Sequence, residues 1–205
     1  MPADTSRPQE PAMTTAESQT EVTTPPGKKV TIASDWLAGC AGCHMSLLDI
    51  DERLVSLLQV ADLHATPITD LKHPPASGVD VGILEGAVNN SAGEEVARRM
   101  RQRCKILVAL GDCAVFGGVP TLRNGFSCEE ALRRAYLETE STAEGRIPDD
   151  PELARMQPAR PLGDVVDVDI HLPGCPPSPD AIFHVLTELA AGRQPKLTGK
   201  LLDWH

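Results

Sequence analysis

Two periods of apolar residues divide most of this chain between strands and helices. Short runs rich in β-branched and aliphatic residues occur at 28–34, 61–66, 79–84, 105–110 and 165–172, with the length and composition of strands. The run at 105–110 is nearly all aliphatic, as a strand covered on both faces should be. After the first strand, Leu47, Leu48, Leu54, Leu57 and Leu58 recur at roughly helical spacing, which predicts one helix over 44–58. Ser91 with Glu94, and Ser127 with Glu130, have the spacing of capping boxes and predict helices running to about Arg103 and Glu138. Ser178 followed by Pro179 sets an N-cap and a proline at the first helical position, opening a last helix that ends at Gly192. Four prolines and two glycines in 140–164 mark a long surface excursion. No internal repeat is present.

Strands alternating with helices imply an α/β fold, a parallel sheet flanked by helices on both sides. Right-handed crossovers put every strand-to-helix turn on one edge of such a sheet. Ligands bind outside the carboxyl ends of its strands.

Composition narrows the function. The chain has 205 residues, 41% of them hydrophobic, enough for one buried core. Aromatics are only 3%, which argues against stacking platforms for single-stranded nucleic acid. Acidic residues outnumber basic ones 29 to 19, for a formal charge of -10. That balance leaves no electrostatic footprint for nucleic acid or an anionic membrane. No apolar run approaches the roughly 18 residues of a membrane span, so no membrane insertion is expected. Residues 1–27 are rich in Pro, Thr, Ser, Glu and Gln, with no apolar stretch and no twin-Arg pair. They read as a disordered tail rather than a secretory signal. The expectation is a cytoplasmic protein with one domain over 28–205. In a reducing compartment its six cysteines point to metal or redox chemistry rather than to disulfides.

Four of those cysteines end strands. Cys40 and Cys43 form a CxxC pair in a glycine-loosened turn after the first strand. Cys113 follows Leu110-Gly111-Asp112, and Cys175 follows Leu172-Pro173-Gly174. A four-iron cluster takes four thiolates, two from a CxxC turn and two from neighbouring strand ends. Glycines beside each cysteine let backbone N–H groups approach cluster sulfurs. The same residues admit other readings: a thioredoxin-like dithiol at Cys40 and Cys43, a structural zinc site, or buried thiol packing for Cys113 and Cys175. Cys104 and Cys128 lie in helical contexts without glycine neighbours and read as packing residues.

Glu85 closes the 79–84 strand. It reads either as an ordinary loop carboxylate or as a proton-handling or cluster-flanking acid. His44, following a ligand, reads either as a hydrogen-bond donor to the cluster or, more commonly for a histidine there, as a solvated or helix-terminal residue, and His171 is expected inside a strand with a structural role. Gly117-Gly118-Val119-Pro120 does not have dinucleotide-fingerprint spacing.

Taken together, Leu37-x-Gly39-Cys40-x-Gly42-Cys43-x-x-Ser46, Glu85-Gly86-Ala87-Val88, Gly111-x-Cys113-Ala114-x-x-Gly117-Gly118-x-Pro120 and Pro173-Gly174-Cys175-Pro176-Pro177 resemble the small subunit of nickel–iron hydrogenases. The likeness is to the short subunit of the soluble NAD-reducing, bidirectional type. It runs in order from about Lys28 to Gly192. The related quinone-reductase subunit has adjacent cysteines at the first position; here two residues separate Cys40 from Cys43. The resemblance implies a flavodoxin-like fold and a proximal [4Fe–4S] cluster on Cys40, Cys43, Cys113 and Cys175, at the carboxyl edge of the strands. It further implies a nickel–iron large subunit as partner, and diaphorase subunits carrying flavin and iron–sulfur clusters that reduce NAD. The chain would then be an electron-transfer subunit of an oxidoreductase, not active alone. The family fold suits FMN, although no residue specifies it. The alternative is a thiol–disulfide oxidoreductase using the CxxC pair. The loops bearing Cys40, Glu85, Cys113 and Cys175 are then expected to form one rim buried against that large subunit, so that Arg at Ala41 or Ala114 would block assembly more than folding.

Overall fold

The computed structural model describes residues 29–202; the tail expected over 1–27 lies outside them. Strands β1 (Val30–Trp36), β2 (Ala61–Ala65), β3 (Val79–Glu85), β4 (Val88–Asn90), β5 (Cys104–Leu110), β6 (Met156–Arg160) and β7 (Ile170–Leu172) alternate with helices. The helices are α1 (Gly42–Leu48), α2 (Arg53–Val60), α3 (Ser91–Arg103), α4 (Gly111–Phe116), α5 (Cys128–Tyr136) and α6 (Pro179–Ala190).

Five strands form one parallel sheet in the order β2-β1-β3-β5-β7. With its strands counted in chain order this is the doubly wound 2-1-3-4-5 arrangement of flavodoxin-like folds, whose switch point lies between β1 and β3. The strand period of two sorts side chains between two cores. On β5, Leu107 and Ala109 join one cluster with Ala97 and Met100 of α3, Ala114 of α4 and Leu162. Val108 and Leu110 face the other, with Leu47 of α1, Leu57 of α2, and Ile182, Val185, Leu186 and Leu189 of α6. Both faces are therefore covered, and every strand points its carboxyl end at the same edge.

Several elements depart from expectation. The single helix over 44–58 is two helices, broken where Asp51 takes a left-handed backbone at φ 57°. Asp is one of the few residues that adopts this conformation readily. The cap of α3 is Asn90, whose side chain accepts from Gly93 N at 2.7 Å. Ser91 instead accepts from Arg155 N, and Glu94 pairs with Arg98 and Arg160. The Ser127–Glu130 capping box forms as predicted. The 140–164 excursion carries β6, which pairs antiparallel with β4 in a small second sheet. The last strand is only Ile170–Leu172; before it, Val165, Val166 and Val168 pack on the second core without pairing. His171 is on that strand and exposed.

Candidate functional site

The carboxyl edge of the sheet brings the sequence-predicted residues together. The CxxC pair follows β1 at the switch point, Glu85 is the last residue of β3, Cys113 lies in α4 directly after β5, and Cys175 follows β7. The sequence places Cys113 just past a strand end, and there Gly111 turns straight into a short helix.

Polar ties join these turns. Leu37 N donates to Glu85 O at 2.7 Å, and Ala38 and Ala87 exchange two backbone bonds at 2.9 and 2.8 Å. This places the CxxC turn against Glu85-Gly86-Ala87. Gly86 has φ 93°, and a Cβ there would sit 2.8 Å from Ala38 O, so only glycine fits. Asp112 N donates to Gly174 O at 2.9 Å, while Gly174 N donates to Asp112 Oδ1 at 2.8 Å, fixing the Cys113 and Cys175 turns to each other. Gly111, at φ 81°, presses its bare Cα against Cys43; any side chain there would run into the Cys43 sulfur.

Cys43 is buried, Cys113 half-buried, and Cys40 and Cys175 are exposed. Burial pushes the Cys43 thiol well up, and Glu85, Cys113, Cys40 and Cys175 add to the rise. At Cys113 burial also raises the thiol, the Val119 N–H opposes this, and Cys175 and Cys40 add to it. Cys43 and Cys113 thus lie inside the rim and Cys40 and Cys175 at its surface. Such a donor set fits a soft metal group that takes thiolates and lowers their proton affinity on binding. Ala41, between the pair, holds a left-handed backbone at φ 64°, a conformation that costs a non-glycine residue about 1–2 kcal/mol.

Glu85 is not an exposed loop carboxylate. It is 2% exposed, and beneath it His44 is fully buried. Glu85 Oε2 accepts from His44 N at 2.9 Å and from His44 Nδ1 at 2.5 Å; His44 Nε2 lies 3.0 Å from Ser34 Oγ. A carboxylate only accepts, so Nδ1 donates to it, and Nε2 shares a hydrogen bond with the Ser34 hydroxyl. Ser34, His44 and Glu85 have the connectivity of a nucleophilic triad, but Ser34 is 3% exposed and its hydroxyl is engaged by the His44 ring. The Trp36 ring meets the His44 ring edge-on at 5.6 Å. Ser34 and Asp112 carry no sequence signature of their own, and Ser46 appears only as a motif letter. Cys104 is buried near Gly82 on β3, away from the rim, and Cys128 is in α5.

Beyond Cys113 the chain shows apolar side chains to solvent. Phe116, Val119, Leu122 and Phe126 are 63–75% exposed. Gly118, packed against the Cys113 backbone, holds the start of this stretch beside the rim. Ala114, in contrast, is fully buried in the second core, and Ala41 is half-buried. The outer side of the rim is formed by the aromatic stretch and not by Ala114. No helix among the described residues is long and apolar enough to cross a membrane.

Comparison with known proteins agrees with the geometry. Residues 40–189 match the family model of the NADH ubiquinone oxidoreductase 20 Kd subunit. One subunit of the F420-non-reducing hydrogenase of Methanothermobacter marburgensis is 36% identical over 173 residues, 83% of this chain but only 56% of the relative. The chain thus spans little more than half the length of that relative. The delta subunit of the NAD-reducing hydrogenase HoxS of Cupriavidus necator is 39% identical over 169 residues, 80% of each chain. A chain of an NAD+-reducing NiFe hydrogenase, solved in the H2-reduced state, superposes with a TM-score of 0.82 at 38% identity, covering 87% of this chain and 100% of that one. The chain therefore belongs to the NADH ubiquinone oxidoreductase 20 Kd subunit family, and its relatives there are subunits of hydrogenases.

Proposed function

We infer that this chain is the electron-transfer small subunit of a cytoplasmic, NAD-reducing nickel–iron hydrogenase. Cys40, Cys43, Cys113 and Cys175 hold one [4Fe–4S] cluster there, proximal to the nickel–iron site of a large subunit. The observation that carries this reading is that four strand-end cysteines lie on one edge of the sheet, with Cys43 packed against the turn that leads to Cys113. The likeness to the HoxS delta subunit and to the NAD+-reducing enzyme's chain supports the NAD-reducing type.

When bound, the cluster supplies one-electron transfer at a potential set by burial and by hydrogen bonds to its sulfurs. The chain's own residues do the rest. Four thiolates supply the ligands. Gly111 leaves room for the Cys43 sulfur. Glu85, the cluster-flanking acid, holds His44 and with it the start of α1. The exposed stretch from Phe116 to Phe126 is the face that a partner covers, excluding water and strengthening N–H dipoles near the site. The switch point that receives flavin mononucleotide in flavodoxin-like folds is taken here by the CxxC turn. The flavin is therefore assigned to the diaphorase subunits, which carry iron–sulfur clusters as well and deliver electrons to NAD.

Purification of the tagged chain from its own host tests this reading. It should bring down a nickel-containing large subunit and a flavin-containing diaphorase, and the complex should reduce NAD with hydrogen. A chain that purifies alone and reduces disulfides, with that activity abolished by Cys40→Ser, would replace this reading with the dithiol one.

A further inference from the structure

We propose that Ser46 is a positioning residue for the cluster site, the hydrogen-bonded link in a ring of contacts through the ligand turns. The proposal rests on the reading of the four cysteines as cluster ligands.

Ser46 stands one helical turn after Cys43, so the two share a face of α1. Its side chain is 3% exposed, and its hydroxyl donates to Pro177 O at 2.6 Å, 131 positions away. Pro177 lies two residues beyond Cys175. The hydroxyl thus ties the helix that carries Cys43 to the turn that carries Cys175. If volume alone mattered at this buried position, alanine would fill it without the cost of desolvating a hydroxyl.

Three further contacts hold the ligand turns. Asp112 accepts from Gly174 N and donates its own N–H to Gly174 O, joining the Cys175 turn to the Cys113 turn. Glu85 accepts twice from His44, joining the end of β3 to the start of α1. Gly111 packed on Cys43 closes the last gap. Each link is made within this chain alone, so the turns that carry Cys43, Cys113 and Cys175 are tied to one another before any cluster arrives. Cys175 is the ligand that most needs this. It is exposed, on a turn after a three-residue edge strand, and Ser46 and Asp112 hold that turn from its two sides. Preorganised ligands lose less conformational freedom on binding and hold their group longer.

The test uses the full chain, reconstituted anaerobically with iron and sulfide, in the parent, Ser46→Ala, Ser46→Thr and Asp112→Ala forms. Two quantities are read: the rate at which the cluster's visible absorbance bleaches under an iron chelator, and the EPR spectrum of the reduced cluster. Ser46→Ala should bleach roughly tenfold faster, as loss of one buried hydrogen bond implies, with a changed or broadened spectrum. Ser46→Thr, which keeps the hydroxyl, should stay close to the parent. Asp112→Ala removes the side-chain half of the ring's other join, leaving the Asp112 N–H to Gly174 O bond, and should shift both readouts in the same direction, so misfolding of one variant does not decide the outcome. Parent lifetime and parent spectrum in both alanine variants would overturn the proposal. Faster bleaching with an unchanged spectrum would overturn it too, because general loosening gives that result. A parent chain that takes up no iron and sulfide would instead remove the cluster reading, and the ring's role with it.

Discussion

His44 and Glu85 are 41 positions apart in sequence and meet twice on one oxygen: the His44 N–H at 2.9 Å and its Nδ1 at 2.5 Å both reach Glu85 Oε2. Both residues are almost wholly buried. The end of β3 therefore dictates where α1 begins, and α1 carries Cys43. Glu85→Ala should destabilise the chain by about 3 kcal/mol, because it strands two buried donors. Glu85→Gln keeps an acceptor oxygen and should lose about 1 kcal/mol. Urea denaturation of the two variants measures this, and equal stability of Glu85→Ala and parent would contradict the assigned role.

The aromatic stretch beyond Cys113 gives a prediction about assembly. Phe116 and Phe126 are 63% and 68% exposed, so Phe116→Glu and Phe126→Glu should leave the circular dichroism melt nearly unchanged. Both should sharply reduce co-purification with the large subunit, since a charge at the apolar centre of an interface is disfavoured. Arg at Ala114 is a different case: that residue is fully buried, and the substitution would break the core instead. Normal co-purification of both Phe variants would place the interface elsewhere.

Acid stability has an identifiable contributor at the other edge of the sheet. Hydrogen bonds from Lys105 and from Thr31 hold the Asp80 carboxyl down at about 2. A depressed carboxyl stabilises the fold above its unfolded value and stops doing so as pH falls through its folded value. Asp80→Asn should therefore be less stable than the parent at neutral pH. The gap should hold down to about pH 4 and close towards the folded value of about 2. Urea midpoints taken across that range check it; a gap that stays constant with pH would show that the carboxylate charge is not responsible.

How much of this could be read from the sequence depended on periodicity. β5 was legible because a strand covered on both faces must be aliphatic throughout. The convergence of the cysteines was legible because each ends a strand, and parallel strands share their carboxyl edge. The break between α1 and α2 was not, since Asp51 turns the chain with neither glycine nor proline to mark it. β6 was hidden by Pro158, which an edge strand tolerates, and by its pairing with only the short β4. The cap of α3 was misread by one residue because Asn90 and Ser91 are both good caps, and only the fold shows that Ser91 is engaged by Arg155. His44 was expected near water as a polar residue at a helix start. Its burial depends on Ser34 and Glu85, which come from two strands beneath its helix, and such long-range partnerships leave no local pattern.

That Cys40, Cys43, Cys113 and Cys175 hold one cluster is tested most directly by iron and acid-labile sulfide analysis with EPR on the anaerobically reconstituted chain. The parent should carry about four irons and about four sulfides per chain and give a signal on reduction. Serine at any one of the four cysteines should lower the content severely, whereas Cys104→Ala and Cys128→Ala should match the parent. About one zinc per chain with no sulfide, or full loading after loss of any two of the four cysteines, would contradict it.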